Sequence, residues 1–527
     1  MLRGFLTVGA WTMASRVMGF VRDIMIAAYL GSGPVAEAFL VAFSLPNMFR
    51  RFFAEGAFNM AFVPLFSKKV ESGDDPKGFA QDAFAGMILV LSVFTVIGIL
   101  VMPWLVTAMA GGFRGDERFD LAVEYGRIAF PYILFISLAA LVSGVLNANG
   151  RFLAAAAAPV LLNIVFIVGV LVGAAMGRPA SDMLGAGMDQ MLGLRVGDTL
   201  ALSVPVGGIA QLALVWWAAA RAGFKLTIRK PKLTPDLKKL AIIAAPAALA
   251  GGVVQINLLV GRQVASFFDG AIAWLNYADR LYQLPLGVVG IAIGVVLLPE
   301  LSRRLQAGDT VGGRYAVSRA AEMALTLTVP CAVAFVVVPL PVTQVLFQRG
   351  AFGPEDSLAT AWALAVYGLG LPAFVLQKVL QPLYFAREDT KSPFRFALAA
   401  LVVNAGLAIG LAPVIGYLAA ALGTTLAAWA MVWLLWRGAR TMGEAARFDD
   451  RFRRRLWRIL AASAGMGLCL WAAMAALGPL FDLPAWKVPA LVGLVLTGMV
   501  SYYVIGSAIG AFALSDIRGA LKRPRKA

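Results

Sequence analysis

Residues 15–23 read SRVMGFVRD, and they lie inside an apolar segment that runs from Phe5 to Leu30. A helix of that length crosses the roughly 30 Å hydrocarbon core of a bilayer. The segment nevertheless carries Arg16, Arg22 and Asp23. At about 1.5 Å per residue Arg16 falls about 16 Å from the start of the span, near mid-membrane. A charge held there costs about 2.5–3.5 kcal/mol on insertion scales, so the rest of the chain should contain what offsets it.

The surrounding sequence makes the membrane reading general. Of 527 residues 60% are hydrophobic, and only 14% are charged against roughly a quarter in soluble domains. The mean hydropathy is +0.80. Apolar runs recur from end to end and predict an all-α polytopic membrane protein of about fourteen helices. Their expected spans are 5–30, 35–66, 79–109, 119–147, 153–176, 198–220, 236–268, 271–303, 313–338, 357–386, 392–412, 415–440, 452–478 and 485–514. The first is not read as a cleaved signal, because arginines interrupt it and no small-residue cleavage site follows a short apolar core.

Enzyme chemistry has little to work with. The chain contains no histidine, which excludes a Ser-His-Asp triad, a His-ligated zinc and a histidine proton relay. There is no G-x-x-x-x-G-K-[ST] to hold ATP. Cys331 and Cys469 fall in predicted spans and are expected as free buried thiols, without a disulfide or metal site. The expectation is a transporter with no catalytic residues, no metal and no cofactor, driven by an ion gradient, the membrane potential or the substrate's own gradient.

The formal net charge of +17 is distributed by side rather than in a nucleic-acid-binding patch. Loops on one side of the expected topology hold 31 of the 46 Lys and Arg residues. The opposite loops hold six: Arg114, Arg118, Arg178, Arg195, Arg349 and Lys487. Positive-inside bias then places both termini in the cytoplasm. The runs RKPKLTPDLKK and RFDDRFRRRLWR act as topology signals beside anionic lipid headgroups.

Nine basic residues remain within spans: Arg16, Arg22, Arg50, Arg51, Arg127, Arg262, Arg280, Arg319 and Lys378. Arg127 and Arg319 sit near span ends, where snorkelling suffices. Arg51 precedes Glu55 by four residues, the spacing of an intrahelical pair. Arg16, Arg22, Arg50 and Arg280 have no such partner in the sequence; they fit either buried ion pairs or a water-filled cationic cavity. Gly19 and the Pro46-Asn47 pair are expected helix breakers beside these arginines.

The chain also repeats. VPLFSKK and LPELSRR place Pro64 and Pro299 235 residues apart, and PVLLNI and ALVVNA place Asn163 and Asn404 241 apart. The expected plan is two six-helix lobes related by an axis along the membrane normal. They comprise residues 1–222 and 223–440, with two extra helices and a basic cytoplasmic tail in 441–527.

SRVMGFVRD, then EAFLVAFSLPNMFRRFFAEGAFNMAFVPLFSK, FPYILFISLAALVSGVLNANGRF and YADRLYQLPLGVVGIAIGVVLLPELS, resemble the MurJ (MviN) family of lipid II flippases in the same order. The resemblance covers essentially the whole chain, most weakly the 177–197 loop and the last two spans. It implies a multidrug and polysaccharide exporter fold working by alternating access in the bacterial cytoplasmic (inner) membrane. The implied role is in peptidoglycan synthesis, cell wall biogenesis and cell shape, as a monomer among membrane lipids with cell-wall synthesis partners. By motif match it implies substrate-binding arginines at Arg16, Arg22, Arg50 and Arg280, supported by Asn47 and Arg51. Asp23, Glu37, Glu55 and Asp279 match as gating or acidic partners. Many members have Asp where Glu37 stands, and some have Ser where Ala273 stands, at a gate position.

The residue types suit that substrate on their own terms. Lipid II carries a pyrophosphate and carboxylates, and the planar guanidinium fork binds such oxygens bidentately while remaining charged. A flippase for another polyprenyl-pyrophosphate-linked glycan would use the same arginines. A drug or cation exporter of the same superfamily would favour acidic and aromatic cavity residues. A non-transport scaffold would not require mid-span charges at all.

Overall fold

The structure is a computed structural model that describes residues 2–51, 59–176, 196–224, 227, 229–232 and 234–512. Among them the secondary structure is helical throughout, and ten helices or helix pairs are long and apolar enough to cross a membrane. The chain forms two compact units, residues 1–273 with 349–353, and residues 274–348 with 354–527.

In the first unit α1 (Leu2–Leu30), α2 (Pro34–Arg50) and α3 (Asn59–Ser72) are followed by α4 (Pro76–Leu100) and α5 (Met102–Met109). Then come α6 (Glu117–Ala129), α7 (Tyr132–Ala148), α8 (Leu153–Met176), α9 (Val196–Arg221) and α10 (Pro235–Ala265). Polar caps set the starts. Asp75 accepts from the Gly78 N–H, Asp116 from Arg118 and Thr234 from Leu237, each satisfying a first-turn donor that the helix leaves open.

Apolar burial does not drive helices together within lipid, so close backbone approach must supply much of the attraction. Gly169 and Gly173, one turn apart on α8, provide it against α9. A Cβ at Gly173 would lie 2.8 Å from the Val196 Cα. Phe62, Phe66 and Phe79 stack in the interior with Phe84, Leu141 and Val145. α10 joins this unit at both ends: Leu237 and Leu240 pack on that core, and Gln263 and Ser266 accept hydrogen bonds from the Gly111 and Gly112 N–H groups at 2.9 Å. Near its first turn Lys69 of α3 bonds Asp74 at 2.8 Å and Asp236 at 2.9 Å, and these carboxylates raise its amine pKa above the ordinary value.

The second unit contains α11 (Ala271–Gln306, from Trp274 onward), α12 (Thr310–Val337), α13 (Pro339–Phe347) and α14 (Pro354–Phe385). It continues through α15 (Lys391–Ile415), α16 (Leu418–Ala439), α17 (Asp450–Leu477) and α18 (Lys487–Ala508). Its core joins Val289 and Leu297 of α11 to Leu325, Val379, Leu435 and Ile459. A charged clamp fastens α17 to α12. Arg319 bonds both oxygens of Asp449 at 2.8 and 2.6 Å, while Asp449 caps α17 by accepting from the Phe452 N–H at 2.7 Å. Buried Glu322 bonds Arg319, Arg455 and, at 3.4 Å, Arg451. Arg319 is therefore ion-paired rather than simply snorkelling.

Three local expectations are corrected. Helix α1 runs unbroken through Gly19, and α2 runs through Pro46-Asn47. Asn47 donates to the Phe43 carbonyl at 3.0 Å, which adds a side-chain link one turn back beside the proline that lacks its own N–H. The expected third and fourth spans are each two helices, broken at Val101 and at Phe130-Pro131. Cys331 and Cys469 are free thiols, as expected, but half-buried rather than buried.

Candidate functional site

Within the first unit, Ser15, Gly19 and Arg22 follow helical spacing and face α8. Asn163 meets all three. Its Nδ2 donates to the Ser15 carbonyl at 3.0 Å, its Oδ1 accepts from Arg22 Nη1 at 3.0 Å, and Gly19 leaves room for its amide. Arg22 also donates from Nε and Nη2 to Asp23 Oδ1 at 3.0 and 2.7 Å. Its guanidinium lies 5.3 Å from the Phe166 ring centroid. Arg22 and Asp23 are 7% and 4% exposed, so each compensates a charge that would otherwise be costly to bury.

Arg16 differs. It stands fourteen residues from either end of α1, about 21 Å of helix, and off the stripe that meets α8. It is half-buried and makes no hydrogen bond or ion pair with any described residue. Arg50 ends α2, with its Nε 3.4 Å from Asn47 Oδ1. Arg51 is exposed at the cap position. Its expected partner Glu55 lies outside the described residues, as does the 177–195 part of the 177–197 loop.

Glu37, in the first turn of α2, centres a second polar cluster of the same unit and is 1% exposed. Its Oε1 accepts from the Ile272 backbone N–H at 3.0 Å and its Oε2 from Arg118 Nη1 at 3.0 Å. Arg118 spreads its remaining donors to Asp116 at 2.5 Å and Asp269 at 2.8 Å, and lies 4.6 Å over Phe113. Ala273 is fully buried beside this contact. At this end Glu37 meets the Ile272 backbone N–H rather than a side chain at 273. In the sequence Arg118 is one of six loop charges, and no spacing links it to Glu37, 81 residues away. Nearby, the 349–353 segment closes the end of α1: the Ala351 N–H donates to the Ala28 carbonyl at 2.8 Å. This approach requires glycine at 350, where φ is +58° and a Cβ would stand 2.1 Å from the Ala28 oxygen.

In the second unit Asp279 and Arg280 are half-buried on α11, and Gln283 donates to Asp279 one turn on. The preceding Trp274 donates from Nε1 to Asp356 at 2.8 Å and meets the Tyr417 ring edge-on at 5.1 Å. Lys378, to which sequence reading gave no role, is exposed on α14, makes no hydrogen bond or ion pair with a described residue, and lies along Gly290 of α11. Among the described residues no group of three or more His, Cys, Asp or Glu could hold a metal ion.

A helical membrane protein in two units, with buried and half-buried arginines placed well inside its helices, belongs to the class of polytopic transporters. The family model described as "MurJ: Lipid II flippase MurJ" matches residues 26–496. A protein of Rhizobium meliloti (strain 1021) named "Probable lipid II flippase MurJ" is 42% identical over 99% of this chain and 96% of its own length. Among solved structures, "Lipid II flippase MurJ, inward closed conformation" is 25% identical with a TM-score of 0.77, covering 95% of this chain and 98% of that one. An inward-facing multidrug resistance MATE family transporter of the MOP superfamily shares the fold, with a TM-score of 0.65 at 14% identity over 83% of this chain and 98% of that one. This chain belongs to the MurJ lipid II flippase family. Its members are transporters rather than enzymes.

Proposed function

We propose that this protein moves lipid II from the inner to the outer leaflet of the cytoplasmic membrane by alternating access, supplying peptidoglycan synthesis. The observation that carries the reading is Arg16: an accessible cation at the middle of a long apolar helix, with no described partner to neutralise it. Arg16, Arg22 and Arg50 of the first unit, and Arg280 of the second, are the cations assigned to the pyrophosphate and headgroup. Asp23 and Glu37, with Glu55 and Asp279, limit over-tight binding by holding arginines between substrate visits. Lipid II is the partner that matters for this step; the protein works as a monomer without a cofactor, and an ion gradient or the membrane potential drives it.

The duplicated motifs support two six-helix lobes, 1–222 and 223–440, within a fourteen-span plan whose termini are both cytoplasmic. Helices α17 and α18, in the 441–527 remainder, wall a lateral groove for the polyprenyl tail, which gains nothing by leaving lipid for a polar cavity. Trp457, Trp471 and Trp486 are all exposed, as interface anchors would be.

Transbilayer movement of defined lipid-linked substrates in proteoliposomes tests the reading. Lipid II should move and a polyprenyl-pyrophosphate with an unrelated glycan should not; equal movement of both replaces lipid II by the broader substrate class. In cells Arg50→Ala should abolish complementation with expression intact. Arg50→Lys should rescue partially, since a point charge keeps the attraction and loses the fork.

A further inference from the structure

The exposed face of α9 contains a feature apart from the residues assigned to the substrate. A cleft of about 390 Å³ opens between α7 and α9, lined by Phe135, Ile209, Leu212, Ala213, Trp216 and Trp217. One wall is held in place, because Trp216 packs edge-on against Phe84 at 5.0 Å. The other wall bears a charge: the Arg221 guanidinium lies 4.0 Å above the Trp217 ring. Arg221 is exposed and has no hydrogen bond or ion pair with a described residue.

Distance along the helix relates the two parts. From Arg221 to Trp217 is four residues, about 6 Å, and to Ile209 twelve residues, about 18 Å. One leaflet contributes about 15 Å of hydrocarbon. A lipid phosphate on Arg221 would therefore direct an acyl chain down the length of the cleft. Tryptophan at headgroup level with arginine just beyond it is the arrangement expected at an interface. The same Trp-to-Arg spacing of four recurs at the end of α16, where Arg437 lies 5.2 Å over Trp433 and Arg440 3.6 Å over Trp436.

We infer that the α7–α9 cleft is a binding site for an anionic glycerophospholipid of the leaflet that faces the basic loops, with its phosphate on Arg221 and one acyl chain between Trp216 and Trp217. The occupant is a two-chain phospholipid rather than the polyprenyl tail, because the cleft ends within one leaflet.

The test uses the full-length protein in vesicles of phosphatidylcholine with phosphatidylglycerol, part of it carrying a photoreactive diazirine on one acyl chain. Adducts should concentrate on residues 209–217, and unlabelled phosphatidylglycerol should compete for them better than polyprenyl phosphate. Arg221→Gln should lower adduct yield about fivefold while Arg221→Lys lowers it less, as expected for one interfacial charge. Ala213→Phe, which fills the cleft below an intact Arg221, should remove the adducts. Adducts spread evenly over lipid-facing helices, or equal yield from Arg221→Gln, overturn the site. Stronger competition by polyprenyl phosphate overturns the assignment of the occupant. Neither result bears on whether lipid II is flipped.

Discussion

Arg22 donates a 3.0 Å hydrogen bond from Nη1 to Asn163 Oδ1, tying the first helix to the eighth at the depth where the first helix is most charged. One amide thus does two things: its oxygen takes a guanidinium donor, and its nitrogen satisfies the Ser15 carbonyl. Asn163→Ala removes both and leaves a buried guanidinium short of an acceptor. Hydrogen bonds to charged groups contribute about 1.5–3 kcal/mol each. Detergent-solubilised Asn163→Ala should lose stability in that range, whereas Asn163→Asp, which keeps the acceptor, should lose less. Equal stability of Asn163→Ala and the parent would show that Asp23 alone suffices for Arg22.

The Glu37–Arg118 pair is buried more deeply. Breaking a buried pair from one side leaves an uncompensated charge and costs about 3–5 kcal/mol. Glu37→Leu alone should be damaging on that scale. Arg118 retains Asp116 and Asp269, so Arg118→Leu strands carboxylates on both buried and exposed elements and should be no milder. The double Leu variant should be more stable than the sum of the single effects predicts, which a thermal-unfolding cycle measures. Strict additivity would mean that the two residues do not act as a pair.

Lys378 offers a separation of stability from transport. Because it is exposed and makes no described bond, Lys378→Met should change stability by less than about 0.5 kcal/mol. If its charge meets the substrate headgroup, flipping should fall in Lys378→Met and recover in Lys378→Arg. Unaltered flipping would assign it to lipid-facing snorkelling.

Orientation is testable by labelling. In a Cys331→Ser, Cys469→Ser background, single cysteines at Arg114 and Arg349 should react with an impermeant reagent in intact cells. A cysteine at Arg303 should react only after lysis. The opposite pattern inverts the topology read from charge placement.

Much of this architecture is legible in the sequence. Span length and the 31-to-6 charge split define a many-helix membrane protein, because the bilayer imposes both rules on the chain directly. The charged residues of α1 were equally conspicuous, since no apolar span carries arginine without a reason. Their partners were not. Asn163 is 141 residues from Arg22, and Arg118 looked like one of six loop charges, because only packing brings an amide or a second helix to a guanidinium. The helix breaks were misplaced for a related reason. Proline at 46 weakens one turn, but neighbouring helices and the Asn47 side chain decide whether that turn opens.

The charged clamp on Glu322 sets an order in time. Arg451 and Arg455 lie some 130 residues downstream of it, so at about 5–20 residues per second they are synthesised roughly 6–26 s later. Through that interval Glu322 already has Arg319, one turn before it on the same helix, and waits without a bare charge in lipid. The arrival of α17 then exchanges a private pair for a shared one. A chain truncated before residue 449 has only the Arg319–Glu322 pair of this clamp.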